Sequence, residues 1–254
     1  MLIRVPEQST LDLDVWAVRE RTDALNAQRA KFRVREREAI AEIARFAERG
    51  PCYAGTSWGK DSTVIAHLVS QLRRDGGPAI PLVWVRVEPR ENPHCALVRD
   101  AFFADAQHAG HPYEEIVEQC ALVDCAWSAL GTLERGFARA AAVHGDRYVS
   151  GIRASESGAR KMRCASHGLS TVRTCAPIGW WQGADVFAYL HARGLPVHPA
   201  YAMSFGGQLD RDRIRVASLG GLRGSEFGRS TWEYHYYGRR LDEIGHRAHD
   251  WRPR

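Results

Sequence analysis

The chain has 254 residues, of which 44% are hydrophobic and 26% are charged, and its formal net charge is +5. This length suits one large α/β core or two small ones, and no run of about eighteen apolar residues predicts a membrane span. The N-terminal segment lacks the basic and apolar regions of a signal peptide, so we expect a cytoplasmic protein with no membrane partner. The basic balance suits a nucleic acid, a nucleotide or an acidic protein partner.

The first region in chain order is helical. Apolar residues recur at helical intervals among charged ones over 12–49, which predicts two helices or one long helix that ends at Gly50-Pro51. Five basic residues between Arg29 and Arg37 fall within it, and we interpret them as a solvated helix face.

The next segment, Ser57-Trp58-Gly59-Lys60-Asp61-Ser62, has the form of a phosphate-binding loop. It lies between an apolar strand predicted at 51–55 and a helix predicted from 63 onward. Small residues there let backbone N–H groups close around phosphate oxygens at the positive end of the helix dipole. Lys60 can add a positive charge, and Ser57 and Ser62 can add hydroxyl donors. Only three residues separate Gly55 from Gly59, and Asp61 follows Lys60, so the segment is not a Walker A loop.

Strands and helices then alternate, which predicts an α/β fold with a doubly wound, mainly parallel sheet and ligands at the carboxyl ends of the strands. Further strands are predicted at 80–87, 113–117, 147–150 and 170–175, and helices at 94–109, 127–144 and 184–192. From about 196 onward the chain is rich in glycine and arginine and less regular. We interpret this part as a lid or substrate-facing extension.

A second candidate anion site follows the fourth predicted strand. Gly151-Ile152-Arg153-Ala154 stands immediately after that strand, and Arg160 belongs to the loop predicted to continue from it. A guanidinium fork pairs well with phosphate or sulfate oxygens. Arginines that merely cap a turn are the structural alternative.

The two motifs together resemble a known superfamily. The hexapeptide is similar to the S-x-G-K-D-S pyrophosphate loop (PP-loop) of the ATP pyrophosphatases, which include the phosphoadenylylsulfate (PAPS) reductases. The PAPS reductase pattern G-I-R-A-x-x-S-G-x-R, followed by P-I-x-x-W, is matched by Gly151 to Ala154, Ser157-Gly158, Arg160, Pro177-Ile178 and Trp181. The resemblance covers roughly residues 45 to 240 and implies an adenine nucleotide alpha-hydrolase-like fold.

That fold implies three regions within one structural domain. They are an N-terminal helical extension at 1–49, a nucleotide-binding core at 50–195 and the Arg/Gly-rich lid or extension at 196–254.

Departures from the family pattern favour ATP activation over sulfate reduction. PAPS reductases carry a nucleophilic cysteine in a C-terminal E-C-G-L-H motif, whereas this chain has no cysteine after Cys175. The second strand ends in Arg86-Val87-Glu88-Pro89-Arg90 instead of the family's more usual Asp-Thr-Gly. The cysteine motifs of the iron–sulfur adenylylsulfate reductases are missing as well, so we expect no iron–sulfur cluster and predict no metal ligands.

The resemblance implies attack by an acceptor oxygen on the α-phosphate of ATP, with release of pyrophosphate and with Mg²⁺ bridging the phosphates. Lys60 and Arg153 are then expected to neutralise the developing charge as catalytic residues. The nucleotide contacts implied are Ser57, Gly59, Lys60, Asp61, Ser62, Gly151, Arg153 and Arg160, with Asp61 also a contact for Mg²⁺.

Thiolating members of the superfamily also need a sulfur-carrying cysteine near the site. Cys164 is the candidate, because it falls in the predicted loop beyond Arg160, between Lys161 and Arg163, where a thiolate would be favoured. An incidental loop cysteine is the alternative. Cys175 lies in a predicted strand and is expected to be a small buried hydrophobe, while Cys120 and Cys125 are candidate relay partners.

The whole pattern is similar to the ATP pyrophosphatase components of DNA phosphorothioation systems, which act in antiphage defence. That resemblance implies DNA as acceptor, a cysteine desulfurase as sulfur donor and a homodimer as one arrangement. Thiolation of a tRNA base, a sulfonucleotide (PAPS) reductase, and a nucleotide-binding regulatory subunit without turnover remain alternatives.

Overall fold

The computed structural model describes residues 1–120, 126–216, 218–220 and 229–245, without the side chains of residues 30 and 126–130. Within them the chain forms a parallel five-stranded sheet in the order β3-β2-β1-β4-β5. The strands are β1 (Tyr53–Thr56), β2 (Leu82–Glu88), β3 (Tyr113–Gln119), β4 (Tyr148–Val149) and β5 (Thr174–Cys175). The sequence prediction of a doubly wound α/β fold is confirmed.

Eight α-helices accompany this sheet in the described residues. They are α1 (Thr10–Ala27), α2 (Ala30–Glu48), α3 (Lys60–Arg74), α4 (His94–Ala104), α5 (Ala126–His144), α6 (Gly158–His167), α7 (Gly183–Ala192) and α8 (Arg229–Glu243). Short 3₁₀ turns lie at Ala154–Glu156, Pro199–Tyr201 and Arg211–Arg213. No helix in the described part of the chain combines the length and the apolar character that a membrane span requires.

The two faces of the sheet follow from the alternation of side chains along each strand. In β2, Leu82 and Trp84 belong to the large core cluster, whereas Val83 and Val85 belong to a smaller one on the other face. Helix α5 covers the smaller cluster, and α3 packs on β1 among residues of the large one. Gly136 lets α5 approach closely, because a Cβ there would lie 2.1 Å from Val85 Cγ1.

The direction of winding reverses between β1 and β4. The connections from β1 through α3 to β2 and through α4 to β3 place residues in the large cluster, whereas α5, between β3 and β4, lies on the opposite face. A crevice therefore opens beyond the carboxyl ends of β1 and β4, where open α/β sheets bind their ligands.

The sequence prediction misses two helices. Helix α6 occupies part of the predicted loop after the fourth strand, because the Ser157 side chain accepts a hydrogen bond from the Arg160 N–H at 3.2 Å and caps a helix that begins at once. Helix α8 lies in the region predicted to be irregular. Its apolar side chains Trp232, Tyr236 and Leu241 are buried at helical spacing, although charged residues surround them in the sequence.

Candidate active site

The loop at 57–62 connects β1 to α3 and is held from behind by an aromatic anchor. Trp58 has a φ of +57° and is fully buried, with its indole packed against Trp84, Phe102 and Phe103. A left-handed conformation is costly for a bulky residue, so packing of the indole compensates for local strain. The aromatic anchor turns the loop backbone toward the crevice.

Hydrogen bonds within the loop fix its shape. Gly59 is the residue before α3, and its carbonyl accepts from Ser62 Oγ and Thr63 Oγ1, both at 3.0 Å. Ser62 Oγ also accepts from the Ser57 N–H at 3.2 Å. Gly59 is required by close approach, because a Cβ there would lie 2.8 Å from Val216 Cγ2. The start of α3 is therefore a preformed positive helix end.

The segment after β4 lies directly against this loop. A Cβ on Gly151 would lie 2.9 Å from the backbone carbon of Asp61, so only glycine permits this contact. Two residues later the Arg153 side chain is fully buried. The two motifs that are about ninety residues apart in the sequence are thus in contact at the switch point of the sheet.

Four charged side chains meet there, and we call Lys60, Asp61, Arg153 and Asp212 the charge cluster. Arg153 Nε lies 2.6 Å from Asp61 Oδ1, and Arg153 Nη2 lies 2.7 Å from Asp212 Oδ1. Lys60 Nζ lies 3.1 Å from Asp61 Oδ2 and 3.5 Å from Asp212 Oδ1. Two cations and two carboxylates thus balance in a largely buried place.

The charge cluster shifts the pKa values of Asp212 and Arg153. Burial alone would raise the pKa of Asp212, but the charges of Lys60 and Arg153 outweigh burial and lower it. For Arg153, burial would lower the pKa, and the charges of Asp61 and Asp212 outweigh this and raise it. Both groups therefore stay charged at neutral pH.

Glu156 organises a second group of charges at the edge of the crevice. It accepts hydrogen bonds from the Arg153 N–H at 3.0 Å and from Arg215 Nη1 at 2.5 Å, and it pairs with Arg160. Burial would raise the pKa of Glu156, but the hydrogen bond from the Arg153 backbone and the charges of Arg160 and Arg215 outweigh it and lower the pKa. Two arginines are thereby directed along the crevice wall.

The crevice is a cleft of about 300 Å³. Its lining includes the loop residues Ser57, Gly59, Lys60, Asp61 and Ser62, together with Gly151, Glu156, Arg160, Tyr201 and Arg215. A larger cavity of about 770 Å³ adjoins it, and Glu156, Ile214 and Arg215 line both. Asp212 lines the larger cavity.

The structure brings most of the sequence-predicted site residues together at the cleft. Seven of the eight predicted nucleotide contacts line the cleft, whereas Arg153 lies behind it, covered by the carboxylates of Asp61 and Asp212. Asp212, Tyr201, Glu156 and Arg215 were missed. The signal for Asp212 was present, since aspartates alternate with arginines over 210–213, but only the arginines were weighed.

Cys164 lies in α6 and not in a loop, and its side chain is 1% exposed. Its Sγ is 3.3 Å from the position of a Cβ on Gly179, so it faces the turn after β5. Among the described residues, those that line the cleft do not include Cys164. The predicted loop position of Cys164 is wrong, while its role in sulfur transfer stays a prediction.

The other cysteines give no clear alternative carrier. Cys175 is buried as predicted, and burial raises its pKa to about 12. Cys120 is buried at the end of β3, and Cys125 lies outside the described residues. In the parts of the chain that are described, no three His, Cys, Asp or Glu side chains are grouped to hold a metal ion. The expectation of no iron–sulfur cluster stays a prediction.

Comparison with known proteins gives matches only at the level of solved structures. No protein-family model matches the sequence, and no curated protein matches it. A PAPS reductase from Candida auris, solved as a phosphate complex, is similar over 63% of this chain and 82% of its own, with 14% identity and a TM-score of 0.43. The U34-tRNA thiolase NcsA from Methanococcus maripaludis, solved with its 4Fe-4S cluster, is similar over 85% and 80%, with 16% identity and a TM-score of 0.47.

Proposed function

We propose that this chain is a PP-loop ATP pyrophosphatase that adenylates an acceptor oxygen in preparation for sulfur transfer. The observation that carries the proposal is the contact between the loop at 57–62 and the segment after β4, with the charge cluster between them. The cleft lies at the switch point of the sheet, and a helix N-terminus, a lysine and two arginines line it. This arrangement suits a nucleoside triphosphate.

Each residue then has a physical task. The N-terminus of α3 and Lys60 bind phosphate oxygens, and Arg160 and Arg215 supply further positive charge from the cleft wall. Arg153 is a positioning residue, because its fully buried guanidinium fixes Asp61 and Asp212 instead of facing the cleft. The Lys60 side chain is also only 1% exposed, but unlike Arg153 it lines the cleft, so we assign stabilisation of charge on the α-phosphate chiefly to Lys60.

The charge cluster also fits Mg²⁺. Carboxylate oxygens are the protein ligands that this ion prefers, and it is commonly held by one or two carboxylates together with substrate phosphates. Asp61 and Asp212 lie 3.1 and 3.5 Å from the same Lys60 Nζ, so Mg²⁺ would bind beside both carboxylates only after this ammonium group moves toward the phosphates. We assign Asp61 and Asp212 as the residues that would hold Mg²⁺, which would neutralise charge on the phosphates.

The acceptor would enter through the larger cavity, because that cavity shares Glu156, Ile214 and Arg215 with the phosphate cleft. An acceptor oxygen bonds to the α-phosphorus, the bond from that phosphorus to the β-phosphate bridge breaks, and pyrophosphate leaves. We propose a DNA backbone phosphate as this acceptor, in keeping with the basic chain and its resemblance to phosphorothioation enzymes.

A cysteine desulfurase would then supply the sulfur. The terminal sulfur of its persulfide displaces AMP from the adenylated phosphate, and an added thiol afterwards reduces the bond between that sulfur and the carrier cysteine. Because Cys164 is only 1% exposed, direct delivery from the desulfurase is favoured over a relay through Cys164.

The test is pyrophosphate release from ATP and Mg²⁺, measured for the wild-type chain, Lys60→Ala and Lys31→Ala. Lys31 is 53% exposed on α2, so it is a matched control for loss of a lysine charge. We expect Lys60→Ala to lower the rate by a factor on the order of 100 or more, and Lys31→Ala to leave it unchanged. Saturable ATP binding by the wild-type chain without any product would instead support a regulatory subunit.

A second measurement separates the acceptors. DNA and tRNA from cells with and without the gene are digested to nucleosides and examined by mass spectrometry. Sulfur in DNA dinucleotides that depends on the gene supports the proposal. Gene-dependent sulfur confined to a tRNA base would replace DNA with tRNA as the acceptor, and PAPS-dependent sulfite release by the purified chain would defeat the ATP pyrophosphatase assignment.

A further inference from the structure

The outward face of α1 carries an apolar stripe. Leu11, Val18 and Leu25 are 59%, 61% and 66% exposed, respectively. They are seven residues apart, a spacing that keeps side chains along one side of a helix. Isolated exposed apolar residues are ordinary on a protein surface, but three at heptad spacing lie in a row along one side of the helix. We call Leu11, Val18 and Leu25 the α1 stripe.

The inner face of α1 is fixed to the rest of the molecule, so the stripe cannot turn inward. Asp12 accepts hydrogen bonds from the backbone N–H groups of Ser204 and Gly206 at 3.0 and 2.9 Å. Asp23, about three turns further along, forms a buried ion pair with Arg211, in which one hydrogen bond measures 2.8 Å. The α1 stripe therefore stays on the outer side of the helix, away from the described residues that hold Asp12 and Asp23.

Two charged residues stand within the stripe. Asp14 follows Leu11 by three residues, and Arg21 follows Val18 by three residues, so both share its side of the helix. Both are exposed, and neither has a hydrogen bond or ion pair to any residue in the described part of the chain. Along α1 the face thus reads apolar, acidic, apolar, basic, apolar, with Val18 in the middle.

This order is complementary to itself when reversed. We propose that the chain forms a homodimer in which two copies of α1 pack antiparallel across a two-fold axis at Val18. Leu25 then meets Leu11 of the second copy, and Asp14 lies beside Arg21 of the second copy, so the same contacts form twice. A parallel pair would instead place like charges opposite one another, which is unfavourable.

The proposal rests on α1 alone and does not depend on the proposed function. The helix has 18 residues, about five turns, so the contact is smaller than a standard interface. We therefore expect a concentration-dependent dimer with a dissociation constant in the micromolar range, not an obligate one.

Cysteine cross-linking tests the arrangement under mild oxidation, with non-reducing gels as the readout. Val18→Cys should form a disulfide with the same cysteine of the second copy, because a residue on the two-fold axis faces its equivalent in the other chain. Leu11→Cys alone should give no dimer, but a mixture of Leu11→Cys with Leu25→Cys should give a cross-linked heterodimer. Val172→Cys, at a valine that is 80% exposed elsewhere, is the control and should not cross-link. Self-cross-linking of Leu11→Cys would overturn the antiparallel arrangement.

Charge reversal tests the energetics by sedimentation over a concentration series. Asp14→Arg and Arg21→Asp should each weaken the dimer by about tenfold, since each introduces two like-charge contacts. The double variant should restore wild-type association. Val18→Glu should give monomer, and Val172→Glu should not change the association. A wild-type chain that remains monomeric at its highest attainable concentration, or a double variant no better than the single ones, would overturn the proposal.

Discussion

Two clusters of buried polar side chains adjoin Val216, and they differ in how burial affects the charge of their members. On one side the charge cluster keeps four ionised groups next to an open cleft. On the other side a neutral cluster of Glu91, Cys95 and His198 is closed off from solvent. Val216 adjoins both clusters. Its Cγ2 leaves no room for a Cβ on Gly59, the residue before Lys60, and its carbonyl accepts a hydrogen bond from Cys95 Sγ at 3.9 Å.

Burial dominates titration in the neutral cluster. It raises the pKa of Glu91 to about 7, raises the pKa of the Cys95 thiol and lowers the pKa of His198. Cys95 Sγ lies 3.7 Å from His198 Nε2, yet burial of the thiol outweighs the charge of Arg86 and disfavours a thiolate. Under the proposed function, the balanced charges beside the cleft belong to the active site, whereas the proximity of Cys95 and His198 has no assigned role.

The largest effect is expected from a substitution that leaves the charge cluster with fewer cations than carboxylates. Arg153→Ala leaves Asp61 and Asp212 with Lys60 as their remaining cation in the cluster, and we expect a loss of about 3–5 kcal/mol in the free energy of unfolding. Arg160→Ala, at a side chain 42% exposed, should lower ATP affinity with little loss of stability. Urea unfolding and equilibrium ATP binding separate the two effects. Equal stability of the two variants would refute the positioning role of Arg153.

The next effect concerns the neutral cluster. Glu91 has a raised pKa in the folded state, so its contribution is most favourable below about pH 4.5 and is lost as the pH rises toward about 7. Glu91→Gln should remove that loss, which amounts to about 3 kcal/mol. The gain in unfolding midpoint over wild type should therefore be larger at about pH 8 than at about pH 5. Glu48→Gln, at an exposed position, is the control, and a pH-independent difference for Glu91→Gln would contradict the account.

A smaller effect comes from the contact between the two motifs. Gly151→Ala should cost about 1–3 kcal/mol, because its Cβ meets the backbone of Asp61 at 2.9 Å and must displace the loop. ATP binding should weaken in parallel. Gly158→Ala, where nothing lies within 4 Å of the added Cβ, is the matched control. Thermal unfolding and ATP titration of both variants decide whether the close approach matters.

The smallest effect is expected at Cys164. The thiol packs in the interior, so Cys164→Ala should cost about 1 kcal/mol and retain pyrophosphate release. We also expect it to retain sulfur transfer from a desulfurase. Loss of sulfur transfer with unchanged ATP turnover would instead return Cys164 to the role that the sequence predicted, and would require α6 to expose the thiol.

Most of the fold could be predicted from the sequence, because the residue patterns that indicate strands and helices are local. Alternating apolar strands and periodic helices predicted the sheet, and the segments 57–62 and 151–154 were predicted as candidate anion-binding loops, although their contact was not predicted. Asp212 could not be placed in the same way, since it reaches the charge cluster from a 3₁₀ turn some 150 residues beyond Lys60. Cys164 was misplaced because a basic neighbourhood in sequence says nothing about which side of a helix is buried.

The central claim is attack at the α-phosphorus of ATP bound by the loop at 57–62. Its most direct test is hydrolysis of ATP by the wild-type chain with Mg²⁺ in water enriched in heavy oxygen, with the products analysed by mass spectrometry. The account predicts AMP that contains the heavy oxygen, pyrophosphate that does not, and neither product from Lys60→Ala. ADP with orthophosphate, or heavy oxygen in the pyrophosphate, would contradict it.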